Sequence, residues 1–411
     1  MQPNNGWLNA DSFSVIIPIL QLIQKPLILQ LRNTNIHWKR CSQHKQIWIR
    51  RHIQYRLSDS PHACAIKVGF HHTTKLTLQP NIRIGDAFPD KIALLFPNVT
   101  NLHVFSWRQQ NSHEHIMFEK LRHLTISYSF FDLNQYLKTK QLESLHILTY
   151  FRLDYKLASQ GLKRLVLQDH ALPVHFRKIF QDQQCTIESF SEINRDQQAQ
   201  LAWDFNLFSS NTSLRRLEFV QTWLQFDKVS VSTVFNITEL IVYNCHFNAR
   251  SFIVHLSCFP HLTCLFLNTE CMDRKNSELL IKQICTMKSL TTLHLQHENH
   301  RIPDLDMQNL KVLPSLTAVS LHIIHFDALQ LLLPQLKYLT LYAYIDQLDE
   351  YKVIDLLKQN HHLIGINIIK EVCYPTTYLS IWREDPFFQN RIFSIETLIG
   401  CTKYPDLDHM Y

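Results

Sequence analysis

Residues 260–295 read PHLTCLFLNTECMDRKNSELLIKQICTMKSLTTLHL. One frame opens and closes this stretch: Leu262, Leu265 and Leu267 first, then Leu290, Leu293 and Leu295. Each copy is an apolar residue, two others, an apolar residue, one other and an apolar residue. The last two apolar positions lie two apart, the period of a β-strand. Between the copies, Ser277 to Lys288 sets Leu280, Ile284 and Met287 at helical spacing, which predicts a helix there. Strand, turn and returning helix make a unit that cannot bury its apolar face alone. Such units must stack.

Working outward, the frame recurs along most of the chain. It starts at Thr73, Val99, Leu121, Leu142, Leu162, Ile187, Leu214, Ile237, Leu262, Leu290, Leu316, Leu336 and Leu363. The steps run from 20 to 28 residues, the period of a stacked repeat. Pro97, Pro260, Pro314 and Pro334 each lie two residues before a frame and follow Phe or Leu. Proline there is expected to stop the preceding helix and release the chain into a strand. A second helix is predicted over Asp349 to Gln359.

These frames resemble the leucine-rich-repeat family, in the irregular form found in intracellular, F-box-associated proteins. The resemblance implies an α/β solenoid, the horseshoe, of about 12 to 13 units over residues 61–370. The family's closing Asn or Cys is matched by Asn81 and Cys245, whereas Ser129, Thr222 and Glu298 stand there in other repeats. Residues 1–60 differ. Pro18 and Pro26 suit the first turn of short helices, and Leu20, Ile23, Leu27 and Leu31 supply apolar faces. Trp38 is followed ten residues later by Trp48, which looks like the later half of an F-box. That resemblance implies docking onto a Skp-type adaptor and a cullin scaffold through Leu20, Ile23, Leu27, Leu31, Trp38 and Trp48. The aromatic stretch 371–411 is expected to cap the last repeat.

Composition narrows the function. The chain holds six glycines in 411 residues, never closer than 16 apart, so no dinucleotide fingerprint, P-loop or nucleophile elbow can be built. Net charge is +6, from 41 basic and 35 acidic residues, and no run of Lys and Arg exceeds two. Neither a nucleic acid nor a membrane is therefore the expected partner. The ten cysteines show no C-x-x-C pair. The apolar stretch Val15 to Ile23 follows Asp11 with no preceding Lys or Arg, unlike a secretory signal. The expectation is a cytoplasmic or nuclear protein, not a secreted one, with its cysteines as buried thiols.

His294, His297 and His300 are spaced by three, yet the frame puts the first on a strand and the others in a turn. Cys258, Cys264, Cys271 and Cys285 fall on a strand approach, a strand face, a turn and an outer helix. No metal, cofactor or catalytic set is expected from them.

The frame does define a surface. Residues flanking and between the last two apolar positions point away from the core. In the N-terminal half these include Asn101, His103 and Phe105, then His123, Thr125 and Ser127. In the C-terminal half Tyr243, Phe266, His294, His322, Tyr338 and Tyr342 give this concave face an aromatic, charge-poor character. That is the composition of a protein-binding patch. The expected function is non-enzymatic: recognition of an unknown target protein on the concave face, as the substrate receptor of a Skp-cullin-F-box-type ubiquitin ligase. The alternative is a scaffold or regulator whose N-terminal helices only cap the solenoid.

Overall fold

A computed structural model describes residues 52–56, 72–79, 96–105, 118–127, 142–148, 161–168, 186–194, 202–268, 272–296, 307–323, 335–344, 362–372 and 392–399. The chain divides into two compact units, Met1–Ile187 and Glu188–Tyr411. In the first unit six parallel strands pair in chain order: β1 (His52–Arg56), β2 (Lys75–Gln79), β3 (Asn101–Phe105), β4 (His123–Ser127), β5 (Ser144–Leu148) and β6 (Arg164–Gln168).

The second unit begins with β7 (Ser189–Ile193), β8 (Trp203–Asp204), β9 (Arg216–Val220), β10 (Leu224–Gln225) and β11 (Glu239–Tyr243). Helix α1 (Ala249–His255), β12 (Cys264–Asn268), α2 (Arg274–Ile284), β13 (Thr292–Gln296) and α3 (Met307–Leu310) follow. It ends with β14 (Ala318–Ile323), β15 (Tyr338–Tyr344), β16 (Gly365–Val372) and β17 (Ile392–Ile399). The sheet order is β7-β9-β11-β12-β13-β14-β15-β16-β17, all parallel, with β8 and β10 as a separate parallel pair. Each unit is a parallel β-solenoid with few helices among its described residues.

Every frame read from the sequence has become a strand that starts two residues after the frame does. Register aligns the apolar positions into columns. Leu76, Leu102, Leu124, Leu145 and Leu165 form one column of the first unit; Leu217, Leu240, Leu265 and Leu293 belong to the matching column of the second. All of these are at most 2% exposed, so the columns are the core. The first apolar position is equally buried, from Val99 to Leu363. Thr73 and Glu192 are the polar occupants of frame positions among the described residues, and both are buried.

Pro97, Pro260 and Pro314 take the second place of a tight turn. The amide of the frame's first residue closes it: Val99 N donates to Phe96 O at 3.2 Å, Leu262 N to Phe259 O at 3.2 Å and Leu316 N to Leu313 O at 3.4 Å. Proline's fixed φ suits that position. The preceding Phe96, Phe259 and Leu313 are buried and anchor the turn.

The predicted helix at Ser277 is α2, which starts earlier because the Asp273 side chain caps it, accepting from Asn276 N at 2.8 Å. It ends at Ile284, short of the expected Lys288; Leu280 and Ile284 are buried on it, and Met287 is buried beyond its end. Residues 349–359 lie outside the described residues. Between β7 and β11 aromatic rings fill the space behind the sheet. Phe190, Trp203, Phe208 and Phe219 pack within 5.1–6.3 Å of one another, and Phe205 stacks on Phe226 at 4.1 Å.

The sheet passes both boundaries set from the frames. Strand β1 lies within residues 1–60 and pairs with β2, and β17 lies within residues 371–411 and pairs with β16. Their second and third apolar positions are present (Ile53 with Tyr55, Phe393 with Ile395), in register with Leu76, Leu78, Ile366 and Ile368. Arg50 and Asn390 occupy the first position, which hides both frames from an apolar search.

Candidate functional site

Alternation along each strand sends the residues between the core positions to the opposite face. In the second unit three rows cross that face. The first runs Arg216, Glu239, Cys264, Thr292, Ala318, Tyr338; the second runs Glu218, Ile241, Phe266, His294, Ser320, Thr340. The third pairs Val220 with Tyr243 and, further along, His322 with Tyr342.

The six aromatic and imidazole residues expected to form one patch therefore occupy three rows. Phe266 and His294 are register neighbours and stack nearly parallel, with ring centroids 3.7 Å apart and planes 9° apart. Tyr243 packs diagonally on Phe266 at 5.7 Å. These three are only 7%, 5% and 4% exposed for Tyr243, Phe266 and His294, and Val220 and Ile241 form an apolar cluster with Tyr243 and Phe266. Tyr338 is different: it is 47% exposed. His322 and Tyr342 share one register step on β14 and β15. The adaptor-facing set, Leu20, Ile23, Leu27, Leu31, Trp38 and Trp48, lies outside the described residues.

Beside the ring cluster lies a polar network. Ser191 Oγ donates to Glu218 Oε2 at 2.8 Å, and Arg216 bridges Glu218 at 3.4 Å and Glu239 at 3.2 Å. Buried Glu218 is thereby matched to a cation and a hydroxyl, which burial of a charge requires. Burial, followed by the Glu239 carboxylate, pushes the Cys264 thiol up to about 11, against a smaller opposing pull from Arg216. Burial likewise raises Cys258. Thiols so protonated are poor nucleophiles at neutral pH. Cys258 sits before the Pro260 turn, Cys264 on the face and Cys285 at the α2 C-terminus, where Sγ donates to Asn309 O at 3.1 Å.

Two structural devices on the strand edges could not be placed from the apolar frame. One is a threonine ladder at the frame's second position. Thr263 Oγ1 donates to Thr238 O at 3.0 Å, Thr291 to Thr263 O at 3.0 Å and Thr317 to Thr291 O at 3.4 Å. The signal was present as threonine at 74, 100, 238, 263, 291 and 317. The other is Cys245, whose Sγ donates to Phe219 O at 3.2 Å and Tyr243 O at 3.3 Å, at the position where the repeat pattern closes. With glycine scarce, Gln221 (φ 52°) and Asn244 (φ 49°) make the left-handed turns after β9 and β11.

Among the described residues no group of three His, Cys, Asp or Glu could hold a metal ion, and no helix is long and apolar enough to cross a membrane. No known family model matches the chain, and no curated protein matches it.

Proposed function

We infer that this chain is a non-enzymatic interaction protein of leucine-rich-repeat type. Its N-terminal segment docks a Skp-type adaptor of a cullin ubiquitin ligase, and its strand face selects the target. The observation that carries the target-binding part is the exposed Tyr338, which shares a strand face with the Tyr243, Phe266 and His294 ring stack. Packed rings stiffen the platform, so the exposed ring contacts a partner at small entropic cost. The adaptor part is supported by the Trp38 and Trp48 spacing and the apolar Leu20, Ile23, Leu27 and Leu31. In this reading other subunits perform the ubiquitin chemistry.

The test uses purified full chain and purified Skp-type adaptor. Leu31→Glu with Trp38→Ala is expected to abolish adaptor binding and leave the thermal unfolding of the repeats unchanged. Wild-type chain that ignores the adaptor removes the ligase role. A double variant that unfolds the repeats makes the N-terminal helices a cap, and the scaffold alternative then holds.

A further inference from the structure

The strand face of the first unit has its own charge character. Across β1 to β6 the rows begin with His52, Lys75, Asn101, His123, Ser144 and Arg164. The next row holds Gln54, Thr77, His103, Thr125, His146 and Val166. None of the six strands contains a single Asp or Glu. The second unit's face, by contrast, carries Glu218 and Glu239.

Accessibility follows the charge. Lys75, His123 and Arg164 are exposed, whereas His103 is half-buried with its Nε2 bonded to Ser127 Oγ at 2.7 Å, and His146 is half-buried with its Nε2 shut from solvent. Phe105, 38% exposed, adds an apolar contact in the third row. Glu143 precedes β5 and pairs with Arg122 at 3.5 Å, both side chains remaining largely in solvent. Among the described residues, these strands thus present exposed Lys75, His123 and Arg164 and no carboxylate of their own.

We propose that this face docks an extended acidic segment of a partner protein, laid across the strands between Lys75 and Arg164. Strands lie ~4.8 Å apart, so the four steps from β2 to β6 span about 19 Å, the length of six extended residues at ~3.4 Å each. Carboxylates of such a segment meet Lys75 and Arg164 at its two ends and the exposed His123 ring between them. A nucleic acid is the poorer fit. Backbone-bound DNA proteins commonly make roughly six to ten phosphate contacts. On the two rows of this face Lys75 and Arg164 are the permanent cations whose exposure is described; exposed Arg122 and Lys163 precede β4 and β6, and Arg56 continues the register. The proposal deepens the interaction-protein reading and rests on it, while requiring neither the adaptor nor Tyr338.

Fluorescence anisotropy of the full chain decides it, with a labelled Glu/Asp-rich peptide about twelve residues long, enough to cross the face. Its Gln/Asn counterpart and a single-stranded oligonucleotide of similar length are the comparators. Acidic peptide is expected to bind, the amide peptide to bind at least about tenfold more weakly, and raised salt to weaken the acidic complex. Lys75→Glu with Arg164→Glu should reduce its affinity about tenfold or more. The same charge change at exposed Lys228 and Lys311 in the second unit should not. Should the glutamate pair disturb folding, Lys75→Gln with Arg164→Gln reads the same loss. Absent binding, binding indifferent to both Lys75 and Arg164 variants, or tighter oligonucleotide binding overturns the proposal. Because Tyr338→Ala and the adaptor variant are read separately, failure here is distinguishable from failure of the interaction reading.

Discussion

One hydroxyl serves opposite ends at two threonines of the frame. Thr291 Oγ1 donates to Thr263 O, which also accepts from the Thr291 and Thr292 amides at 2.8 and 2.9 Å. Thr73 is fully buried, and its hydroxyl meets no partner among the described residues. The same isosteric change should therefore act with opposite sign: Thr291→Val is expected to lower stability by about 1 kcal/mol. Thr73→Val, which removes a desolvated hydroxyl, should raise stability by about 1 kcal/mol. Urea midpoints check both, and a common sign would dismiss the ladder account. Cys264 offers a pH test. With its thiol at about 11 rather than 9.0, iodoacetamide at pH 8 should label it roughly a hundredfold more slowly than a cysteine peptide. Folding keeps that proton, so its stabilising effect is full below pH 9, where the unfolded thiol is also protonated, and falls as pH rises toward 11. Site-resolved mass spectrometry that finds Cys264 labelled at the peptide rate would refute the burial of the thiol.

At the level of strands, side and exposure are separate properties, and they divide Phe266 from Tyr338. Phe266→Ala removes a buried ring that touches Tyr243 and His294 and should cost about 3 kcal/mol. Tyr338→Ala should change stability by no more than about 0.5 kcal/mol while weakening target binding. Equal losses of stability from the two would show that Tyr338 is part of the packed face. Which residues leave the core was legible in the sequence, because a period of two needs only the apolar frame. That Tyr243, Phe266 and His294 would bury each other was not, since lateral stacking depends on the register between strands 25 and 28 residues apart. Strands β1 and β17 escaped for a local reason: Arg50 and Asn390 replace the apolar residue that marks the frame, although Ile53, Tyr55, Phe393 and Ile395 keep the strand pattern. The aromatic filling around Trp203 also has no fixed spacing that a repeat search would detect.

Across the molecule, order in each solenoid passes from strand to neighbouring strand, since each pairs only with those on either side. Stability in such an array is close to a sum of repeat and nearest-neighbour contributions. Damage should therefore stay near its origin. Leu145 lies in the middle of the first unit, is fully buried, and registers with Leu124 and Leu165. Leu145→Ala opens a cavity in that leucine column and should cost about 2–5 kcal/mol locally. Hydrogen exchange is the measurement, because it reports each strand's opening separately. Protection should fall in β4, β5 and β6, whereas β11, β12 and β13, in the other compact unit, should keep theirs. Leu265→Ala, the matching change in the second unit, should reverse the pattern. If either substitution lowers protection equally in both sets of strands, the chain unfolds as one cooperative body, and the neighbour-to-neighbour account of its stability is wrong.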